Sequence, residues 1–228
     1  MGEVSKLKRT GILNHWKAFN SKCENIKWLL GSLVAQFVVI NTPDIIETSR
    51  LPVEVCVDGL RLPAAKIFGL GFTPSDRRIL SRELLAAARR LLIADSTEQL
   101  IESVCRAWGM HEDPSGTDPY EKNKEISFTC SRIYGNTRAG SLLTKEERAF
   151  IKEVACPIRN AIRHNNGVIS PGSRPFTFSG KVAGREISVK LERGKPLKLS
   201  LEKSYSFFEV IKTIGNNAFT RLFKEYAA

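Results

Sequence analysis

The sequence predicts a mainly α fold: a helical bundle with a small antiparallel β-meander and a C-terminal helix. Three observations carry this. Apolar residues recur at helical spacing through most of the first 164 positions. They then alternate with a period of two between residues 176 and 201, and helical spacing returns at the end of the chain. Apolar residues make up 42% of 228 positions, enough for a real core, which excludes global disorder.

The elements follow in order. Leu7, Ile12, Trp16, Phe19 and Cys23 mark one face of a first helix. The run WLLGSLVAQFVVI, residues 28–40, continues it and reads as a buried helical segment. The run is too short to span a bilayer and contains Gln36. Asn41-Thr42-Pro43-Asp44 breaks the helix. Residues 41–72 read as a connector with a short helix or strand; LPVEVCVDG alternates like a strand and stops at Asp58-Gly59.

Thr73-Pro74-Ser75-Asp76 is a helix start, with proline in the first turn. Ile79, Leu80, Leu84, Ala87 and Leu91 form the apolar face that follows. Ser96-Thr97-Glu98-Gln99 has the form of a capping box and predicts a second helix through Trp108. GMHEDPSGTDP is a turn-rich loop. A short helix is expected over 121–134 and another loop over 135–143.

Thr144-Lys145-Glu146-Glu147 is the clearest capping box in the chain. The helix it opens ends at Asn165-Asn166-Gly167, residues that tolerate the left-handed conformation. Pro157 lies inside and predicts a kink. FTFSGKV, then Ile187, Val189 and Leu191, then Leu197, Leu199 and Leu201, predict three strands of a meander. SYSFFEVIKTIGNNAFTRLFKEY predicts a closing helix with a possible break at Gly215.

Charge narrows the function. Lys and Arg number 35 against 24 Asp and Glu, a net +11 that favours polyanionic partners such as RNA, DNA or an acidic membrane. A soluble basic protein without such a partner fits the same excess. The five cysteines, Cys23, Cys56, Cys105, Cys130 and Cys156, include no C-x-x-C pair, so reduced, mostly buried thiols in a cytosolic protein are expected rather than zinc or a disulfide framework. MGEVSKLKRTG has no apolar signal core. No dinucleotide, Walker, G-x-S-x-G or H-E-x-x-H motif occurs. His15 reads as a surface or core residue, and His111 as a loop residue without chemistry.

The densest chemistry sits in PIRNAIRHNNG, residues 157–167. On a wheel of about 100° per residue, Ile151, Val154, Ala155, Ile158 and Ile162 share the core face. Arg159 and Arg163 form one i, i+4 pair outside it, and Asn160 and His164 another. An asparagine one turn before a histidine can hold its ring. Two readings stand. Cations in a last helical turn are favoured by the helix dipole, and Arg159 can be a salt-bridge partner. The same side chains can also handle a phosphate. Arg159 paired with a carboxylate of its own surface favours the first reading; a solvent-lined cleft at a two-fold interface favours the second.

Arg159-Asn160-Ala161-Ile162-Arg163-His164 resembles the R-x4-6-H motif of HEPN domains, with asparagine after the arginine and a Gly-containing turn after the histidine. The resemblance covers 144–167 well and 1–170 loosely. It implies a HEPN-like bundle over 1–170, with 41–72 as a connector or insertion. Residues 171–228, a β-meander plus C-terminal helix, would pack on the same domain. HEPN domains are usually dimeric. Many are metal-independent ribonucleases of toxin–antitoxin, antiphage and CRISPR systems, and others are inactive. The resemblance therefore implies an endoribonuclease with Arg159, Asn160 and His164 as catalytic residues and neither cofactor nor metal.

The chemistry is coherent with that. RNA cleavage without metal needs a group to take the 2′-hydroxyl proton, one to protonate the leaving 5′-oxygen, and positive charge over the phosphorane. An imidazole can exchange the proton and a guanidinium can hold the phosphate. Arg159 and His164 diverge by about 140° on a regular helix, which predicts a composite site shared by a homodimer. Arg163, Lys190 and Lys198 are candidate RNA contacts, although a solvated face accounts equally well for the lysines. The expected partners are RNA, a second copy, and an antitoxin or regulatory protein, in the cytoplasm and without a membrane. The alternative is a non-catalytic HEPN-like module that binds nucleic acid or a protein.

Overall fold

The computed structural model describes residues 3–41, 54–57, 60–63, 73–113, 115, 142–170 and 176–224. The fold is mainly helical, with a small antiparallel sheet and a C-terminal helix, as the sequence predicts. The chain divides into two compact units, residues 1–26 with 90–228, and residues 27–89.

Helix α1, Glu3–Asn41, contributes to both units. In the larger one it buries Ile12, Phe19 and Cys23 of the stripe read from the sequence, together with Ile26; Trp16 is half-buried, and Leu7, one turn from the helix start, is exposed. The expected burial of residues 28–40 is not met. Trp28 is 79% exposed, and Leu29, Val34 and Val38 are exposed too; Ile40 is buried. That stretch is apolar around most of its circumference, and one neighbouring helix can cover only one side of it. By length and composition alone, α1 is long and apolar enough to cross a membrane.

The smaller unit also holds strands β1 (Glu54–Val57) and β2 (Leu60–Pro63), paired antiparallel with Val57 opposite Leu60. The expected single strand thus has a partner just beyond Asp58-Gly59. Helix α2, Pro74–Arg89, starts where predicted. Thr73 Oγ1 accepts from Asp76 N–H (3.2 Å), and the Asp76 carboxylate accepts from Thr73 N–H (2.9 Å) and Oγ1 (2.7 Å). Asn41 Nδ2 donates to Ser81 Oγ (2.9 Å), tying the end of α1 to α2.

No cap forms at Ser96. A π-helical segment, Arg90–Asp95, leads straight into α3, Ser96–Glu112. Ser96 Oγ donates back to the carbonyls of Leu92 (2.6 Å) and Ile93 (3.3 Å), and Ser96 and Thr97 are fully buried. Burial of this stretch keeps it helical despite the capping pattern. His111 lies in the last turn of α3 rather than in a loop, its ring 4.9 Å from that of Trp108. The helix expected over 121–134 and residues 135–141 lie outside the described residues.

Thr144 forms the predicted capping box with Glu147 and opens α4, Lys145–Phe150. A second π-helical segment, Ile151–Ala155, follows, then α5, Cys156–His164. Pro157 lies just after the π-helical segment, so its missing N–H falls where the regular α-helical ladder is already interrupted. Asn166 and Gly167 adopt positive φ (49° and 78°), and Gly167 N–H reaches the Ala161 carbonyl (2.8 Å), closing α5 as its sequence predicts.

Strands β3 (Phe176–Val182) and β4 (Arg185–Leu191) pair through a two-residue turn, Ala183-Gly184, with φ of 49° and 82°. Ile187, Val189 and Leu191 point inward as their alternation predicts. The third strand does not form. Pro196 makes a single bridge to Val168, and Leu201 already belongs to helix α6, Leu201–Lys224. Proline lacks the N–H a ladder requires.

Helix α6 runs unbroken through Gly215, which is buried against the Phe19 ring so closely that a Cβ there would overlap it. Phe19, Phe150, Phe207, Phe208 and Phe219 are the largest buried side chains of the larger unit. Cys23 and Cys105 are buried thiols. Cys156 is disulfide-bonded, against the expectation of reduced thiols; an odd cysteine count does not preclude one bridge.

Candidate active site

Helix α5 brings the motif to one edge of the larger unit, with Ile151, Val154, Ala155, Ile158 and Ala161 buried behind it. Asn160 and His164 are exposed, and Arg159 and Arg163 are partly covered. Arg159 Nε donates to Glu98 Oε1 (2.8 Å), and its Nη2 lies 2.7 Å from the same oxygen. The remaining terminal nitrogen, Nη1, donates to Asn160 Oδ1 (2.9 Å) and lies 3.4 Å from His164 Nε2. Arg163 forks onto the same carboxylate, Nε to Oε1 (3.0 Å) and Nη2 to Oε2 (2.8 Å), and also donates to Asp95.

All four motif side chains therefore meet around one anchor, and two expectations change. The angular argument for a shared site fails: the long Arg159 side chain spans the divergence, so a single chain joins Arg159 to His164. Asn160 also does not hold the imidazole. Its carbonyl oxygen accepts a hydrogen bond from Arg159 Nη1, so it orients the guanidinium. Arg159 Nη1 can only donate, so His164 Nε2 stands on the accepting side of this 3.4 Å contact.

Glu98 and Asp95 are the residues sequence reasoning missed. Glu98 is read there as part of a capping box, whereas its carboxylate receives two guanidiniums from a helix about sixty positions later. The usable signal is an acidic pair, Asp95 and Glu98, in a stretch whose other positions bury Leu92, Ile93, Leu100 and Ile101. Burial pushes the Asp95 carboxyl above the usual aspartate range, outweighing the pull of Arg163; Glu98 pushes the same way and Arg90 against it. Burial lowers Arg163, but its hydrogen bonding to Glu98 and the charges of Glu98 and Asp95 raise it overall.

Lys190 and Lys198 are not part of this cluster in the contacts the structure shows. Together with Lys195 they line a cavity of about 480 Å³ beside β4. Lys190 pairs with Glu192 (3.0 Å), and that bond and charge hold the Glu192 carboxyl below its usual range. Among the described residues, no three His, Cys, Asp or Glu side chains come together as metal ligands. Comparison with protein-family models, curated proteins and solved structures returned no match.

Proposed function

We propose that the chain is a HEPN-like, metal-independent endoribonuclease acting as a homodimer, in a defence or toxin setting. The observation that carries this is the convergence of Arg159, Asn160 and His164 on an exposed edge, with Glu98 gripping the guanidinium from behind. A carboxylate anchor fixes a phosphate-binding arginine in place, and preorganised charge is what stabilises a phosphorane. His164 is exposed beside the guanidinium, and a phosphate that draws Arg159 Nη1 onto its own oxygens would release the imidazole lone pair to take the 2′-hydroxyl proton. One imidazole cannot serve as base and acid in the same instant. A second copy supplying a second His164 is the simplest completion.

A second reading has its own observation. Both guanidiniums are paired with carboxylates of their own chain, the arrangement tied above to a structural role. A non-catalytic module that binds nucleic acid or a protein would need no more than this. A purely structural pairing, though, accounts for Arg159 Nε and Nη2 and leaves Nη1, Asn160 and His164 gathered at the surface without a purpose.

The test is incubation of purified protein with a panel of RNAs, followed by end-group analysis. The expected products carry a 2′,3′-cyclic phosphate and a 5′-hydroxyl, form in EDTA, and do not arise from DNA. Intact RNA throughout would favour the non-catalytic module. A 5′-phosphate product or loss of cutting in EDTA would overturn the mechanism.

A further inference from the structure

The smaller unit holds a cavity of about 620 Å³ between the end of α1 and the face of α2. Four arginines line it: Arg77, Arg78, Arg82 and Arg89. Among the described residues, no carboxylate lines it, and none of the four guanidiniums has a hydrogen-bonded or ion-paired partner. The Nε atoms of Arg77 and Arg89 are buried and unsatisfied. Of the acids beside this stripe in sequence, Asp76 is engaged with Thr73 at the helix start and Glu83 does not line the cavity.

That arrangement is unfavourable as it stands. Like charges at i, i+4, such as Arg78 and Arg82, repel along a helix. Buried, unsatisfied donors cost stability until something accepts from them. The contrast with Arg159 and Arg163 is direct, since those two are neutralised by Glu98 and Asp95. A multivalent anion resolves the conflict at the α2 stripe. Arg78 and Arg82, the i, i+4 pair, are offset by about 6 Å along the helix, a spacing suited to two consecutive phosphates. The opposite wall supplies Phe37, and Leu85 adds apolar surface. A cationic track beside an aromatic ring takes a strand whose bases are free to stack, rather than a duplex or a lone phosphate.

We propose that this cavity binds a single-stranded nucleic acid, with Arg78 and Arg82 on consecutive phosphates and Phe37 against a base. The proposal stands apart from catalysis at His164 and is testable without it.

The experiment is fluorescence anisotropy with a labelled oligouridylate of about a dozen nucleotides, using the full chain carrying His164→Ala so that the probe stays intact. Arg78→Gln with Arg82→Gln should weaken binding more than tenfold. It should also reduce the slope of log affinity against log salt by about 1.4, at about 0.7 per phosphate contact. Phe37→Leu should weaken binding about fivefold or more with the salt slope unchanged. If the glutamine pair unfolds, Arg78→Lys with Arg82→Lys keeps the charge: affinity should fall while the slope holds. Lys17→Gln with Lys22→Gln, two exposed lysines of the larger unit, removes equal charge elsewhere and should change affinity less than twofold. An equal loss from that control, no binding by the parent, or retention on anionic phospholipid vesicles that the oligonucleotide does not compete away would overturn the proposal. Binding through these arginines by a chain that never cuts RNA would uphold it while refuting the nuclease.

Discussion

Glu98 is the residue on which the candidate site turns. Among the described residues, it alone accepts from both Arg159 and Arg163. Glu98→Gln leaves two partly covered guanidiniums without their carboxylate and should both lower the melting temperature and abolish cleavage, with about 3 kcal/mol lost for a pair broken on one side. Asp95 behaves differently. Its carboxyl is raised because burial disfavours its charge, so Asp95→Asn, which removes that charge and leaves Glu98 in place, should change stability by less than about 1 kcal/mol. Denaturant titration of both variants separates them; equal losses would show that the anchor is shared. His164→Ala removes an exposed ring outside the apolar face. It should eliminate RNA cleavage while melting within a few degrees of the parent. A variant that cuts normally, or unfolds, ends the catalytic assignment.

At the scale of elements, Glu147 shows how a cap becomes a strut. It closes the capping box with Thr144 and is 3% exposed, yet it also accepts from Arg221 Nη1 (2.6 Å) and Nη2 (3.2 Å) and from Asn217 Nδ2 (2.9 Å), joining α4 to α6. Burial alone would raise its carboxyl. The bonds from Arg221, Asn217 and Thr144 N–H, with the charge of Arg221, outweigh burial and hold it below the usual glutamate range. Its stabilisation is complete above the unfolded-chain value and is lost as pH falls through the depressed folded value. Asp95 has the opposite sign: its raised folded value makes acidification favourable there. Glu147→Gln should cost about 3 kcal/mol near neutrality and flatten the fall in melting temperature below the ordinary glutamate value. An unchanged acid limb would show that other carboxylates govern it. Gly215→Ala should also destabilise. Helix propensity favours alanine by about 1 kcal/mol, but a Cβ would strike the buried Phe19 ring and sit 3.2 Å from Leu100 Cδ1.

These elements show what the sequence made legible. The Thr144 box, the Asn166-Gly167 ending and the Ile187–Val189–Leu191 alternation depend on neighbours in sequence, and all three are present. The Ser96 box and the Leu201 strand also fit local patterns, yet tertiary burial and a downstream helix overrode them. The motif was visible as four polar residues on α5. Its anchor was not, because pairing Glu98 with Arg159 depends on how two helices meet, and a single sequence does not record that. The exposed flank of α1 was misread for a related reason: composition shows that a helix is apolar, not whether anything covers it.

For the whole molecule, the net charge of +11 has a partial location, since the four arginines of the α2 face lack carboxylate partners while the motif arginines do not. The remaining question is whether cleavage needs one copy or two. Geometry no longer demands a partner to bring Arg159 to His164, so the case for a dimer rests on proton transfer. If one His164 is the base and the other the acid, both subunits of a two-fold dimer must be intact. Mixing parent chain with His164→Ala in varying ratio, after dissociation and reassembly, then gives a distinct curve. At equal mixing, random pairing leaves about one quarter of the dimers with both imidazoles, so cleavage should fall to about one quarter. Independent sites would leave about one half, with a linear decline across the series. The linear result, or a monomer by light scattering at concentrations where cleavage proceeds, would assign base and acid to a single chain and remove the two-histidine mechanism.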